Sequence, residues 1–178
     1  MAHSNPALTD GTVASMIRVN QAGEYGAVRI YAGQLAVMGD RHPFAADIRH
    51  MAEQEAAHKA AFDAMIPARR VRPTLLQPFW HVAGYALGAV TALIGPKAAM
   101  ACTVAVETEI DRHYAAQLEQ LGAGEPALRE TIAQFQAEEL EHKATARDRG
   151  AEQAVAYPLM SGMIRAGCRL AIRVSERL

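Results

Sequence analysis

The sequence predicts an all-α protein whose core is a four-helix bundle built from two repeated helix pairs. Proline and glycine are sparse within long stretches rich in Ala, Leu, Glu and Met. No run of alternating β-branched residues is long enough to form a strand. Two sequence motifs from the first half of the chain also recur, in the same order, in the second half.

Breaker residues divide the helical pattern into segments. Gly39 and Pro43 separate the first two helices, Pro96 breaks or bends a long third helix, and Gly122 ends it. The last helix follows Pro158. The predicted helices are residues 10–38, 44–65, 80–121, 126–149 and 158–178, and the proline-containing residues 67–78 are predicted to form an extended crossover.

Composition and charge narrow the possible functions. The chain has 178 residues, of which 51% are hydrophobic and 21% charged, so we expect one domain, residues 1–178, with a flexible amino terminus at residues 1–9. The net charge is −1 and no aromatic-interleaved basic stretch occurs, so nucleic acid is not an expected partner.

Cys102 and Cys168 lack metal-binding spacing and are predicted to be reduced packing residues. Residues 1–10 lack a signal or transit pattern, which favours the cytosol.

The internal repeat is the most informative feature of the sequence. The motif YAGQL at residues 31–35 recurs as YAAQL at residues 114–118, an offset of 114 − 31 = 83. The motif EAAHKA at residues 55–60 recurs as ELEHKA at residues 139–144, an offset of 139 − 55 = 84. Two helix pairs joined by a crossover match a ferritin-like four-helix bundle, in which two helices each supply a Glu and the other two each supply Glu-x-x-His.

Six polar residues occupy positions where the helical pattern predicts a buried core. Glu55 and His58 share one helix face and lie in an apolar stripe that advances by steps of three and four. Glu139 and His142 repeat this arrangement, and Glu24 and Glu107 are related by the 83-residue offset. The predicted metal ligands are Glu24, Glu55, His58, Glu107, Glu139 and His142.

Four buried carboxylates require compensating charge, because each would otherwise carry a desolvation cost of several kcal/mol. Two divalent ions supply four positive charges. An oxygen-rich set with two imidazoles suits iron or manganese better than zinc. The residues therefore predict a dinuclear site, with iron and manganese both open.

Other polar residues near these stripes receive weaker predictions. Glu53, Glu138 and Glu141 lie off the core stripes and are expected to be solvated. Glu109 and Asp111 are expected either at the surface or beside the ligands. His113 could orient a ligand, contact substrate or pack, and Tyr25 and Tyr114 could line the cavity or pack.

Seven stretches resemble the demethoxyubiquinone hydroxylase family, the di-iron monooxygenases of ubiquinone biosynthesis, over nearly the whole chain. They are NQAGEYGA at residues 20–27, RIYAGQ at 29–34, RPT at 72–74, ACTVAVE at 101–107, EELEH at 138–142, AGCR at 166–169 and SERL at 175–178. The resemblance implies that the six residues bind two iron ions, with Glu55 and Glu139 as candidates for bridging both. It also implies that O2 is used to hydroxylate the ring of a polyprenylated demethoxyubiquinol.

Two segments could contact a membrane. Four arginines recur every fourth residue beside an apolar face in the last helix, namely Arg165, Arg169, Arg173 and Arg177. Residues 79–94 are apolar all round and contain Trp80, although the stretch is too short to span a bilayer. Packing or a dimer interface would explain both segments equally well. The resemblance favours peripheral binding at the cytoplasmic face of the inner (cell) membrane, with a homo-oligomer or other ubiquinone-biosynthesis proteins as possible partners.

Three other functions fit parts of the pattern. A ferroxidase or iron-storage protein has the same fold, but the basic amphipathic tail and the apolar middle segment argue against it. A di-iron oxidase could act on a different substrate, such as a tRNA base or peroxide, and the near-neutral charge disfavours the tRNA base. A lipid-binding module without catalysis would leave the six core polar residues without a purpose.

Overall fold

A computed structural model describes residues 9–178, and this part of the chain is helical without a strand. Thr9 caps the first helix by accepting a hydrogen bond from the backbone N–H of Thr12 at 3.2 Å. The rest of the predicted flexible terminus lies outside the described residues. The helices are α1 (Asp10–Met38), α2 (Ala45–Ala68), α3 (Gln77–Ile94), α4 (Pro96–Leu121), α5 (Pro126–Asp148) and α6 (Tyr157–Ser175), with a short 3-10 helix at Ala151–Gln153.

The predicted break at Pro96 is confirmed. Gly95 has a φ of 151°, a conformation that glycine adopts readily, and Pro96 then opens α4 at a position where its missing N–H costs nothing. The long third segment is therefore two separate helices.

The predicted crossover at residues 67–78 was wrong in its bounds, because α2 continues through Pro67 and α3 begins at Gln77. Pro67 lies in the last turn of α2, where it cannot donate a backbone hydrogen bond to the carbonyl of Asp63. Arg70 then takes a left-handed conformation with φ 53°, and the N–H of Val71 donates to the carbonyl of Ile66 at 2.9 Å. The connection without helix is confined to residues 69–76.

The core formed by α1, α2, α4 and α5 has three layers along the helix axes. Helix α1 packs on α2, and α4 packs on α5. One apolar cluster contains Ile17, Phe62, Leu121 and Ile132. A second cluster contains Tyr31, Ile48, Met51, Val104 and Ala146. In each of these four helices, the predicted ligands lie between residues of the first cluster and residues of the second. Apolar side chains therefore cover the polar layer at both ends.

Helix α3 contacts α1 through a close backbone approach that depends on glycine. A Cβ atom on Gly88 would lie 1.9 Å from the carbonyl oxygen of Ile30, and one on Gly33 would lie 2.2 Å from that of Tyr85. Since real Cβ atoms do not approach so closely, these two positions accept only glycine at this helix separation.

Helix α6 is anchored to α4 by ion pairs to a buried carboxylate. Glu109 is 2% exposed and accepts hydrogen bonds from Arg165 at 2.6 Å and Arg169 at 2.9 Å. The prediction of Glu109 at the surface or beside the ligands was wrong, because α6 covers its face of α4. Two of the four regularly spaced arginines therefore face the protein. No helix within residues 9–178 has the length and apolar character needed to cross a membrane.

Candidate metal centre

The structure brings all six predicted residues together in the middle of the core. Each of them is buried, and Glu55 and Glu139 have no exposed surface. Their ligand atoms form two overlapping sets, and within each set all the atoms lie within 4.8 Å of one another. The first set is Glu24, Glu55, His58 and Glu139, and the second is Glu55, Glu107, Glu139 and His142.

Glu55 and Glu139 belong to both sets, which is the arrangement expected of carboxylates placed between two ions. The Nδ1 atom of His58 lies 3.2 Å from Glu139 Oε1 and 3.7 Å from Glu24 Oε2. The Nδ1 atom of His142 lies 3.1 Å from Glu139 Oε2 and 3.3 Å from Glu55 Oε1. Each imidazole thus presents Nδ1 to one set.

Two tyrosines hydrogen-bond to Glu24 and Glu107, the two carboxylates that each belong to only one of the sets. The hydroxyl of Tyr31 donates to Glu107 Oε1 at 3.0 Å, and the hydroxyl of Tyr114 donates to Glu24 Oε1. These tyrosines correspond in the sequence repeat, so each half of the chain supports the carboxylate of the other half. Of the two tyrosines suggested as cavity residues, Tyr114 contacts the cluster, whereas Tyr25 is hydrogen-bonded to His81.

The Nε2 atoms of the two histidines have partners that the sequence reasoning missed. His58 Nε2 lies 2.7 Å from Glu138 Oε2, and His142 Nε2 lies 3.0 Å from Gln54 Oε1. The prediction that Glu138 is solvated was wrong, because its side chain is 24% exposed and turns from α5 toward α2. The repeat offers the signal that could have found this pair, since 54 + 84 = 138.

The remaining acidic residues behave largely as expected. Glu53 and Glu141 are exposed, which confirms the prediction for them. Asp111 is half-buried and forms an ion pair with Lys143 at 3.1 Å. None of these three belongs to either ligand set.

Electrostatics within the cluster of carboxylates and histidines are strongly perturbed. Burial, followed by repulsion from neighbouring carboxylates, raises the pKa of Glu55 well above its ordinary value. Burial likewise raises the pKa of Glu107. Burial alone would lower the pKa of His58, but the neighbouring carboxylates of Glu139, Glu24 and Glu138 outweigh it and raise the value to about 10. The cluster therefore holds protons that a bound cation would displace.

Unsatisfied atoms test whether the cluster fits a metal. Both carboxylate oxygens of Glu55, one oxygen each of Glu24, Glu107 and Glu139, and Nδ1 of His58 are buried without a hydrogen-bond partner among residues 9–178. Buried polar atoms are rarely left in this state. These six atoms belong to the two ligand sets, so donor atoms of both sets are oriented toward the shared space. Four further buried atoms of the described residues also lack a partner, on Gln21, Gln34, Trp80 and Thr103. The residues present fit two divalent ions.

His113 lies apart from the cluster. Its Nε2 accepts from the side-chain amide of Gln117 at 2.8 Å, and that amide also donates to Asn20. Burial lowers the pKa of His113 to about 4. It lines a polar cavity of about 440 Å³ beside the start of α1, so none of its hydrogen bonds orients a predicted ligand.

An apolar cavity of about 420 Å³ lies among α1, α3, α4 and α6. Its lining includes Gly23 and Val106, the residues that precede Glu24 and Glu107. It also includes Trp80 from α3 and Met163 from α6. The cavity therefore runs beside α1 and α4, the two helices that supply Glu24 and Glu107. Cys168 lines it too, and both cysteines are free, as predicted.

Fold and site together define an all-helical protein with a duplicated helix pair and two overlapping buried clusters of carboxylates and histidine that could hold metal ions. The chain belongs to the ubiquinone biosynthesis protein COQ7 family, whose model matches residues 11–175.

Curated relatives extend this similarity. The chain is 57% identical to the 3-demethoxyubiquinol 3-hydroxylase of Rhodospirillum rubrum over 162 residues, which is 91% of this chain and 76% of that protein. It is 48% identical to the NADPH-dependent 3-demethoxyubiquinone 3-hydroxylase of Homo sapiens over 175 residues, which is 96% of this chain and 80% of that protein. It is 44% identical to the 5-demethoxyubiquinone hydroxylase of Saccharomyces cerevisiae over 92% of this chain and 77% of that protein.

Proposed function

We propose that this protein is a di-iron monooxygenase with a ferritin-like four-helix bundle that hydroxylates the ring of a polyprenylated demethoxyubiquinol, a late step of ubiquinone biosynthesis. The two overlapping clusters of buried Glu and His residues carry the proposal, because they fit a pair of ions in an otherwise apolar interior. The names of the relatives supply the substrate class and the reaction.

Hydroxylation of the ring consumes O2, two electrons and two protons. It converts one ring C–H bond into a C–OH bond and releases one water molecule. The name of the human relative specifies NADPH, and we assign the two electrons to this class of reductant for the present chain. The paired iron ions would supply O2 reduction when bound.

The protein contributes ligand placement and exclusion of water. The proposed ligands are Glu24, Glu55, His58, Glu107, Glu139 and His142, and Glu55 and Glu139, which belong to both sets, would contribute to holding both ions. The hydroxyls of Tyr31 and Tyr114 each occupy one carboxylate oxygen and leave the other for a metal. The apolar clusters on either side keep bulk water from the reacting centre.

Substrate access is proposed through the apolar cavity among α1, α3, α4 and α6. Its volume of about 420 Å³ is within the range for small-molecule sites, and its lining is largely aliphatic. It passes beside the residues adjoining Glu24 and Glu107, and it reaches Trp80 and Met163 on the outer helices. This path suits an aromatic ring that carries a long isoprenoid tail.

Peripheral binding at the cytoplasmic face of the inner membrane is the proposed location. Helices α3 and α6 both expose large apolar side chains, namely Phe79, Val82, Leu93, Ile94, Leu159, Met163 and Leu170. These two helices also border the apolar cavity. Arg173 and Arg177 are exposed on α6 and could contact anionic headgroups, whereas Arg165 and Arg169 are paired with Glu109.

Liposome sedimentation tests the membrane proposal. We expect Leu93→Ser combined with Leu170→Ser to reduce binding to vesicles containing anionic lipid by at least about tenfold, because each removes exposed apolar surface. Leu140→Ser on α5, also an exposed leucine, is the matched control. Equal sedimentation of all three proteins would refute the proposed surface.

The catalytic proposal is tested by measuring iron content and hydroxylation together. Glu139→Ala and His142→Ala should each fail to bind the full pair of iron ions and should each lose turnover of a demethoxyubiquinol. Glu141→Ala, an exposed carboxylate on the same helix, should keep both. Full activity in either ligand variant would overturn the assignment, and iron oxidation without quinol turnover in the wild-type protein would instead favour a ferroxidase.

A further inference from the structure

The near-twofold symmetry of the metal centre is broken at the side chains that contact the Nε2 atoms of the two histidines. Most of the site is matched between the two halves, including the tyrosines that hold Glu24 and Glu107. The partners of the histidine Nε2 atoms differ, because His58 contacts the carboxylate of Glu138 whereas His142 contacts the amide of Gln54.

Glu138 and Gln54 are also joined to each other, which fixes the direction of the hydrogen bonds. Gln54 Nε2 donates to Glu138 Oε2 at 3.4 Å, so Gln54 Oε1 is the atom that accepts from His142. Gln134 donates to the other oxygen of Glu138 at 3.0 Å. Both histidines thus donate from Nε2, so Nδ1, which faces the ligand sets, is the nitrogen available to a metal.

The two sets carry the same charge in their ligands. They share Glu55 and Glu139, and each adds one Glu and one His. Among the side chains hydrogen-bonded to the ligands, Glu138 adds a negative charge on the side of His58, and its counterpart Gln54 adds none. A carboxylate that accepts an imidazole N–H makes the opposite nitrogen a stronger metal ligand, and its charge also attracts the cation.

We propose that Glu138 is a positioning residue that makes the two metal positions unequal, so that the first divalent ion binds at Glu24 and His58 and the second at Glu107 and His142. This inference rests on the dinuclear site proposed above. It adds an order of filling and assigns that order to one residue outside the ligand sets. Changes in such partners alter metal affinity by about 10–100-fold.

Anaerobic calorimetric titration of the metal-free protein with Mn²⁺ tests the order. Wild-type protein should bind two ions in two steps that differ in affinity by at least about tenfold. Glu138→Gln should weaken the first step by about tenfold and bring the two steps together. Glu141→Gln removes an exposed charge from the same helix and should leave both steps unchanged.

Exchanging the two side chains gives the sharpest comparison. The double variant Gln54→Glu with Glu138→Gln keeps the composition and the joined pair, and it should reverse the order of filling. His142→Ala should therefore spare the tight step in wild-type protein and abolish it in the exchanged background. Thermal melts followed by circular dichroism test whether each variant is folded. If the double variant does not fold, the comparison of Glu138→Gln with Glu141→Gln tests the role of Glu138.

The outcomes separate this inference from the proposed function. Absence of Mn²⁺ and Fe²⁺ binding by wild-type protein would refute the dinuclear site itself. Two ions bound with equal affinity, or a first step unaffected by Glu138→Gln, would overturn the assigned role of Glu138 and leave the dinuclear site standing.

Discussion

Replacing Glu55 with glutamine should stabilise the metal-free protein, by an amount that grows with pH. Glu55 is fully buried, both of its oxygens lack hydrogen-bond partners, and burial followed by neighbouring carboxylates raises its pKa well above the ordinary 4.5. Between the ordinary and the raised pKa the unfolded chain ionises and the folded protein does not. Stability therefore falls as pH rises, by about 1.4 kcal/mol per pH unit.

The amide introduced by Glu55→Gln does not titrate, so this loss is absent from the variant. From pH 5 upward, the stability of the variant relative to wild-type protein should therefore rise, by up to about 1.4 kcal/mol for each pH unit. For a chain of this size, each kcal/mol corresponds to roughly 2–4 °C in melting temperature. The neighbouring carboxylates also lose the repulsion of Glu55 in the variant, which changes stability in the same direction.

Thermal melts of chelator-treated protein at several pH values provide the assay. Glu53→Gln, an exposed change on the same helix, should follow the wild-type curve. Adding Fe²⁺ anaerobically should raise the melting temperature of wild-type protein and have little effect on Glu55→Gln, which lacks a shared carboxylate. A constant difference between wild-type protein and Glu55→Gln across this pH range would refute the reasoning.

Other perturbations test the scaffold. Gly88→Ala should destabilise the protein by about 3 kcal/mol in chemical denaturation, because its Cβ would lie 1.9 Å from the carbonyl of Ile30, whereas Gly162→Ala meets open space and should be neutral or stabilising. Glu109→Gln should cost about 2 kcal/mol and speed hydrogen exchange in α6, since the pairs with Arg165 and Arg169 are broken. Unchanged exchange in α6 would contradict the anchoring role of Glu109.

Much of the site could be predicted because the repeat supplies the same information twice. Glu55 and His58 are spaced for one helix face, and their recurrence at Glu139 and His142 makes a chance pattern improbable. Apolar residues on the same stripes predicted burial, and the structure confirms that burial. Helical periodicity was sufficient because each ligand is placed by its own helix.

The missed features depend on contacts between helices. Glu138 was assigned to solvent from its own helix, but its partner His58 lies on α2. Glu109 is buried by α6, which approaches from more than fifty residues further along the chain. The separate packing of α3 on α1 depends on glycines whose close approach becomes visible only when both helices are placed. Periodicity within one helix carries no information about which neighbour covers a face.

Isotope labelling tests the central proposal most directly. Purified protein loaded with two Fe²⁺ per chain would be supplied with a polyprenylated demethoxyubiquinol, NADPH and ¹⁸O2, and the quinone product would be analysed by mass spectrometry. Wild-type protein should yield product that carries one ¹⁸O atom, and His142→Ala should yield no product. Product that carries oxygen from water, or equal labelled product from the His142→Ala variant, would contradict the proposal.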